Sequence, residues 1–116
     1  MDVPKIDSYR FGRIVIDSKA YEKDVILLPE RVIAGWWRLE GHRLHPQDLL
    51  EVLADRPEVL VVGQGAYVQM QVTAEARQAL EQAGIELVSL PTEQACRRYN
   101  ELRTQRKTAA ALHLTC

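Results

Sequence analysis

The residues best suited to chemistry in this chain are Gly63, Gln64 and Gly65, which end the run Glu58-Val59-Leu60-Val61-Val62. Glycines closing a buried strand can turn backbone N–H groups outward, and a nest of such donors suits a small anion. A dinucleotide site is excluded. No third glycine follows at Gly-x-Gly-x-x-Gly spacing, and the next helix waits until about Thr73. No cofactor is therefore expected. Thr92, Glu93 and Gln94 open a helix after the neighbouring strand, so the positive end of that helix should face the same rim. The expected ligand-binding set is Gly63, Gln64, Gly65, Tyr67, Thr92, Glu93 and Gln94, a rim for a small anionic metabolite. The plainer reading is a tight turn followed by an ordinary helix cap.

Other reactive residue types form weaker patterns. His42, His45 and Asp48 share one loop and could approach a metal, but no second ligand pair follows at metal-site spacing, and no metal is expected. Cys96 and His113 are the types of a nucleophile and its base, yet nothing in their spacing requires them to meet. Ser-His-Asp order, a Walker loop, Cys-x-x-Cys and His-Glu-x-x-His are all missing from the sequence, so no catalytic residue is assigned. Trp36-Trp37 sits in a strand-like stretch where neighbours face opposite sides, which can send one indole to the surface as a partner anchor. Arg97, Arg98, Arg103, Arg106 and Lys107, relieved only by Glu101, are the one local charge excess; a solvated helix face is the plainer reading. Trp36, Trp37, Arg97 and Arg98 are the expected partner-binding residues, the partner being a protein or a second copy of the chain.

Composition narrows the classes. A chain of 116 residues with a net charge of −1 lacks the basic excess that nucleic acid binding demands, so no obligatory nucleic-acid partner is expected. Its length suits one domain, residues 1–116. No apolar run approaches the roughly 20 residues of a membrane span. Cys96 and Cys116 are not spaced as a disulfide framework, and the start Met-Asp-Val-Pro-Lys-Ile-Asp has neither a signal nor a transit pattern. A soluble, cytoplasmic protein is expected.

The elements that must position these residues follow from periodicity. Strands are expected over Tyr9–Ile16 and Tyr21–Leu28, joined as a hairpin by Asp17-Ser18-Lys19, with a third over Arg31–Arg38. A helix begins at Pro46, carries Leu49, Leu50 and Leu53 inward, and stops before Pro57. Val59–Val62 reads as a central strand buried on both faces. Tyr67–Val72 is a short extended piece, and Thr73 caps a helix that ends at Gly84. Ile85–Leu90 is a strand, and Thr92 caps a helix with Ala95, Cys96, Tyr99 and Leu102 inward. Ala109–Leu114 is a last strand. Alternation of this kind predicts an α/β fold with right-handed crossovers between parallel strands.

Read together, Tyr21-Glu22-Lys23-Asp24, Val62-Gly63-Gln64-Gly65, Gly84-Ile85, Leu90-Pro91-Thr92-Glu93-Gln94-Ala95, Tyr99-Asn100 and His113-Leu114-Thr115-Cys116 resemble a small, mostly uncharacterised α/β family. It includes mitochondrial respiratory complex I assembly factor three and a vertebrate adipogenesis-associated cytosolic protein. The resemblance covers roughly residues 5–116. It implies a three-layer domain, a central mixed and mostly parallel sheet flanked by helices with an N-terminal β-hairpin. It also implies no established enzymatic reaction and a role like that of an assembly or interaction protein. This sequence lacks the targeting extension of the mitochondrial relatives, so a respiratory-complex role is not carried over.

Overall fold

The computed structural model describes residues 3–116. Three short strands, β1 (Ile6–Arg10), β2 (Arg13–Ile16) and β3 (Lys19–Tyr21), form an antiparallel meander. The main sheet has five strands: β4 (Val25–Leu28), β5 (Arg31–Ala34), β7 (Val59–Gln64), β9 (Glu86–Leu90) and β10 (Thr108–His113). Their spatial order is β5-β4-β10-β7-β9. The strands β10, β7 and β9 run parallel, and the β4–β5 hairpin joins β10 antiparallel. Two-residue strands β6 (Arg43–Leu44) and β8 (Gln71–Val72) pair beside it. The helices are α1 (Leu50–Asp55, preceded by a 3-10 turn over Pro46–Leu49), α2 (Ala74–Gln82) and α3 (Thr92–Leu102).

Strand parity divides the core between two faces. Leu60, Val62, Ala109 and Ala111 pack with Leu49, Val52, Ala76 and Leu80 from the side of α1 and α2. The alternate residues Val61, Ala110 and Leu112 pack with Ala95, Cys96 and Tyr99 of α3 and with Ile6, Ile14 and Ile16 of the meander. The sheet is therefore a middle layer covered on both sides, as the sequence implied. Strands buried on both faces lose the polar alternation of a half-exposed sheet, which is why β7 reads as a continuous apolar run. β10 lies at the centre and carries the alanines Ala109, Ala110 and Ala111, with Met70 in the core cluster of one face and Tyr99 in that of the other. Each buried Leu, Ile or Val contributes about 1.5–3 kcal/mol relative to exposure, so these two clusters dominate stability.

Several expected elements are divided differently. The strand expected over Tyr9–Ile16 breaks at Phe11-Gly12, where Gly12 has φ +79° and its N–H donates to the Leu114 carbonyl (2.9 Å). That contact docks the turn against the end of β10, and only glycine adopts such a φ cheaply. The strand expected over Tyr21–Leu28 divides between the meander and the main sheet, so the N-terminal hairpin becomes a meander followed by a second hairpin. The strand expected over Arg31–Arg38 ends at Ala34, and Trp36 N–H instead donates to the Asp24 carbonyl (2.8 Å). Of Tyr67–Val72, only Gln71–Val72 is a strand. Thr73 caps α2 as expected: its Oγ1 accepts from Ala76 N–H (3.1 Å) and donates to the Leu44 carbonyl (2.9 Å).

Candidate functional site

The carboxyl ends of β7, β9 and β10 converge on the loop that follows Gln64. The backbone amides of that loop, from Gly65 to Met70, already have partners within the chain. Gly65 N–H donates to Thr92 Oγ1 (2.8 Å), Ala66 N–H to the Thr115 carbonyl (2.7 Å), and Tyr67 and Gln69 N–H to the Cys116 carbonyl (3.3 and 3.0 Å). Gln64 is buried, and its Nε2 donates to the Met70 carbonyl (3.0 Å), stapling the loop across its own base. The expected contact of Gly63, Gln64, Gly65 and Thr92 with an anion is corrected accordingly. All four are buried, and they hold the rim without reaching solvent. Donors already held by a hydroxyl and by carbonyls of the protein have no free hydrogen left for an anion.

Thr92 is also not the helix cap. Pro91 takes that position, and Thr92 is the first helical residue with its side chain turned into the sheet. Its Oγ1 donates to the His113 carbonyl (2.6 Å) while accepting from Gly65, so one hydroxyl ties α3 to β10 and to the β7 loop. Thr92→Val should cost about 2 kcal/mol in urea unfolding, because it leaves a buried N–H and a buried carbonyl without partners. Thr92→Ser should recover most of the loss. Equal stabilities for Val and Ser would refute the hydroxyl's role. The other motif residues act similarly: Tyr99 Oη donates to the Pro4 carbonyl (2.7 Å), and Asn100 bonds both the N–H and the carbonyl of Ile6 (3.0 and 2.7 Å). These contacts fasten the first strand to α3.

The remaining rim residues do reach solvent. Glu93 and Gln94 line a groove of about 560 Å³ together with Tyr9, Arg10, Phe11, Ala66 and Pro91. Tyr67 stands beside it, its ring centroid 6.2 Å from that of Phe11. Sequence reasoning missed Tyr9, Arg10 and Phe11, having placed them within one strand. The signal was an aromatic residue followed by glycine, which interrupts the alternation at a turn.

A second polar cluster was also missed. Asp24 Oδ2 accepts from Arg38 Nη1 (2.8 Å) and lies 2.8 Å from His113 Nδ1, while Asp24 Oδ1 accepts from Leu114 N–H (2.8 Å). An ionised carboxylate only accepts, so the His113 proton facing it sits on Nδ1. Burial pushes the Asp24 carboxyl upward, but the hydrogen bonds from His113, Leu114 and Arg38 outweigh it and hold the group below the usual aspartate value. Arg38 also donates from Nε and Nη2 to the Gly41 carbonyl (3.2 and 2.8 Å) and stacks 4.8 Å over the Trp36 ring. His113 Nε2 is buried and has no hydrogen-bond partner among the described residues. The His42 ring packs edge-on against it at 5.8 Å.

The other sequence candidates separate. Asp48 is buried, its two oxygens accepting from Leu39 and His45 N–H (3.0 and 2.8 Å), and His45 Nε2 pairs with Glu40 (2.6 Å). Asp48 is thus a backbone anchor. Cys96 packs on the α3 face, whereas the parity of β10 sends His113 to the opposite face, so the two do not form a pair. Burial, and then the charge of Glu93, push the Cys96 thiol up to about 12, far from a thiolate at neutral pH. Of the basic run, Arg103 donates to the Pro4 and Val3 carbonyls, Arg106 pairs with Glu58 and Glu86, and Lys107 donates to the Asp55 carbonyl. Arg98 pairs loosely with Glu101 (3.6 Å), and Arg97 is exposed. Trp36 is buried with Nε1 donating to the Asp48 carbonyl (3.0 Å), so it is unavailable to a partner. Trp37 is 78% exposed.

This architecture defines a small three-layer α/β domain with its last strand in the middle of a mixed sheet. Residues 6–113 match a family described as a protein of unknown function, DUF498/DUF598, and the chain belongs to it. Among solved structures it is similar to a conserved hypothetical protein from Pyrococcus horikoshii OT3. The two are 28% identical over 97% of this chain and 99% of that one, with a TM-score of 0.83. A protein from Rhodopseudomonas palustris is 26% identical over 97% of this chain and 87% of that one, with a TM-score of 0.72. A Bordetella pertussis protein described as an Mth938-like domain is similar in fold, at 23% identity over 96% and 85% of the two chains and a TM-score of 0.71. The family carries no established reaction. Among the described residues no helix is long and apolar enough to cross a membrane.

Proposed function

We propose that this chain catalyses no reaction of its own and works in the cytoplasm as an assembly-type interaction protein, docking a protein partner through Trp37 and Leu39. The observation that carries this reading is the segment after β5, in which inward and outward residues alternate. Trp36 and Arg38 are buried and tied down, while Trp37 and Leu39 are 78% and 59% exposed. Exposed apolar side chains on a braced backbone lose little entropy on binding, and tryptophan is enriched among the residues that dominate interface energies. The resemblance to respiratory complex I assembly factor three and the adipogenesis-associated protein points to the same kind of work. Arg97 and Arg98 are a secondary contact for an acidic partner surface.

Trp37→Ala should leave the far-UV spectrum and thermal midpoint unchanged, because the indole packs little against the fold. It should weaken partner binding by about 30-fold or more, the loss expected at an interface anchor. Affinity capture under native salt with wild-type and variant bait checks this. A stoichiometric partner, a second copy included, retained by the wild type and lost from the variant is the expected result. Equal recovery by both baits would overturn the proposal.

A further inference from the structure

The groove beside α3 lies outside the carboxyl ends of β7 and β9. The helices that follow these strands leave on opposite faces of the sheet: α2 packs with the first core cluster and α3 with the second. Open α/β sheets bind ligands at such divergences. Here the crevice itself is plugged by Thr92 and by the Cys116 carbonyl, and the groove above it is lined by residues of β1, of the turn after it and of the start of α3.

Those side chains are of two kinds. Phe11 and Tyr67 present tilted rings 6.2 Å apart, and both are more than half exposed, at 53% and 69%. Arg10 and Glu93 line the same groove with opposite charges, yet neither forms an ion pair with the other or elsewhere among the described residues. An anion entering here gains Arg10 but meets Glu93, and a cation meets the reverse. A ligand bearing both charges satisfies both, and a ring on the same ligand covers the exposed aromatic pair. The geometry points to a site for a small aromatic zwitterion, the chemistry of an aromatic α-amino acid. Its carboxylate faces Arg10, its ammonium faces Glu93, and its ring lies against Phe11 and Tyr67. Gln94 supplies an amide that can hydrogen-bond either end.

Titration of the isotope-labelled full chain with L-phenylalanine, followed by amide chemical shifts, tests the site. Phenethylamine and 3-phenylpropionate, each lacking one charge, are the comparison probes. Saturable shifts confined to residues 9–11, 66–67 and 93–94 are expected, with each comparison probe about two- to fivefold weaker, the range of an exposed ion pair. Arg10→Ala and Glu93→Gln should each weaken L-phenylalanine by a similar factor, and both residues are exposed enough for the fold to survive. Absence of saturable shifts, or equal binding of the three probes, would overturn the assignment. Trp37→Ala should bind L-phenylalanine as the wild type does, so this result and that of the partner capture are read separately.

Discussion

Gly65→Ala should destabilise the protein by about 3–5 kcal/mol, combining overpacking with left-handed backbone strain. A Cβ at this position would lie 2.1 Å from the Cys116 carbonyl carbon and 2.4 Å from its oxygen, and 2.9 Å from His113 Cδ2. The first two are backbone atoms, held by hydrogen bonds from Tyr67 and Gln69, so they cannot swing aside as a flexible side chain would. Gly65 also has φ +97°, a conformation that alanine adopts only with strain. Denaturation in urea, followed through Trp36 and Trp37 fluorescence, checks the magnitude. Gly41→Ala is the matched control, because no atom lies within 4 Å of a Cβ there, and its effect should stay within about 0.5 kcal/mol. If the two variants unfold at the same urea concentration, the close packing of residues 115–116 on the β7 loop is not what makes glycine necessary at 65.

Asp24→Asn should cost about 3 kcal/mol or more at neutral pH. It keeps the side-chain volume and an acceptor for Leu114, but it leaves Arg38 with a nearly buried guanidinium and no counter-charge. Removing one partner of a buried pair is costly for that reason, even where the intact pair adds little net stability. The side chains of Arg38 and His113 are 5% and 8% exposed, so water can replace little of what the carboxylate supplied. The pH dependence has a definite sign. A carboxyl whose folded pKa is depressed contributes stability that is fully present above its unfolded value, here 3.8, and is lost as pH falls through the folded value. Wild-type stability should therefore fall below about pH 4, while Asp24→Asn should lack that component. The gap between the two proteins should narrow toward acid. Parallel stability curves from pH 7 to pH 2 would contradict the assignment of the depressed carboxyl to Asp24. Because Arg38 braces the segment that presents Trp37, the variant should also weaken partner capture.

Much of the fold was legible because its signals are local. The β7 run, the Thr73 cap, the α3 face Ala95-Cys96-Tyr99 and the order of alternating elements each depend on residues a few positions apart. The strands near the N-terminus were harder. Phe11 and Gly12 fit an extended pattern as well as a turn, and the choice was made by the hydrogen bond from Gly12 to Leu114 at the far end of the chain. The candidate site was legible only in part. Glu93, Gln94 and Tyr67 do gather at one rim, but nothing local indicated that Arg10 and Phe11 would join them.

The sequence by itself determined that a covered α/β sheet would form and that a glycine turn would end β7, since apolar periodicity and backbone freedom are properties of neighbouring residues. The tertiary structure alone decided what that turn does. Residues 115–116 return to fill its amides, and Thr92 joins it to β10 with a single hydroxyl. Asp24, Arg38 and His113 meet across separations of 14, 75 and 89 positions. Contacts of that reach depend on which strands become neighbours in the sheet. That order is set by the burial of both faces together, which no single stretch of the chain encodes.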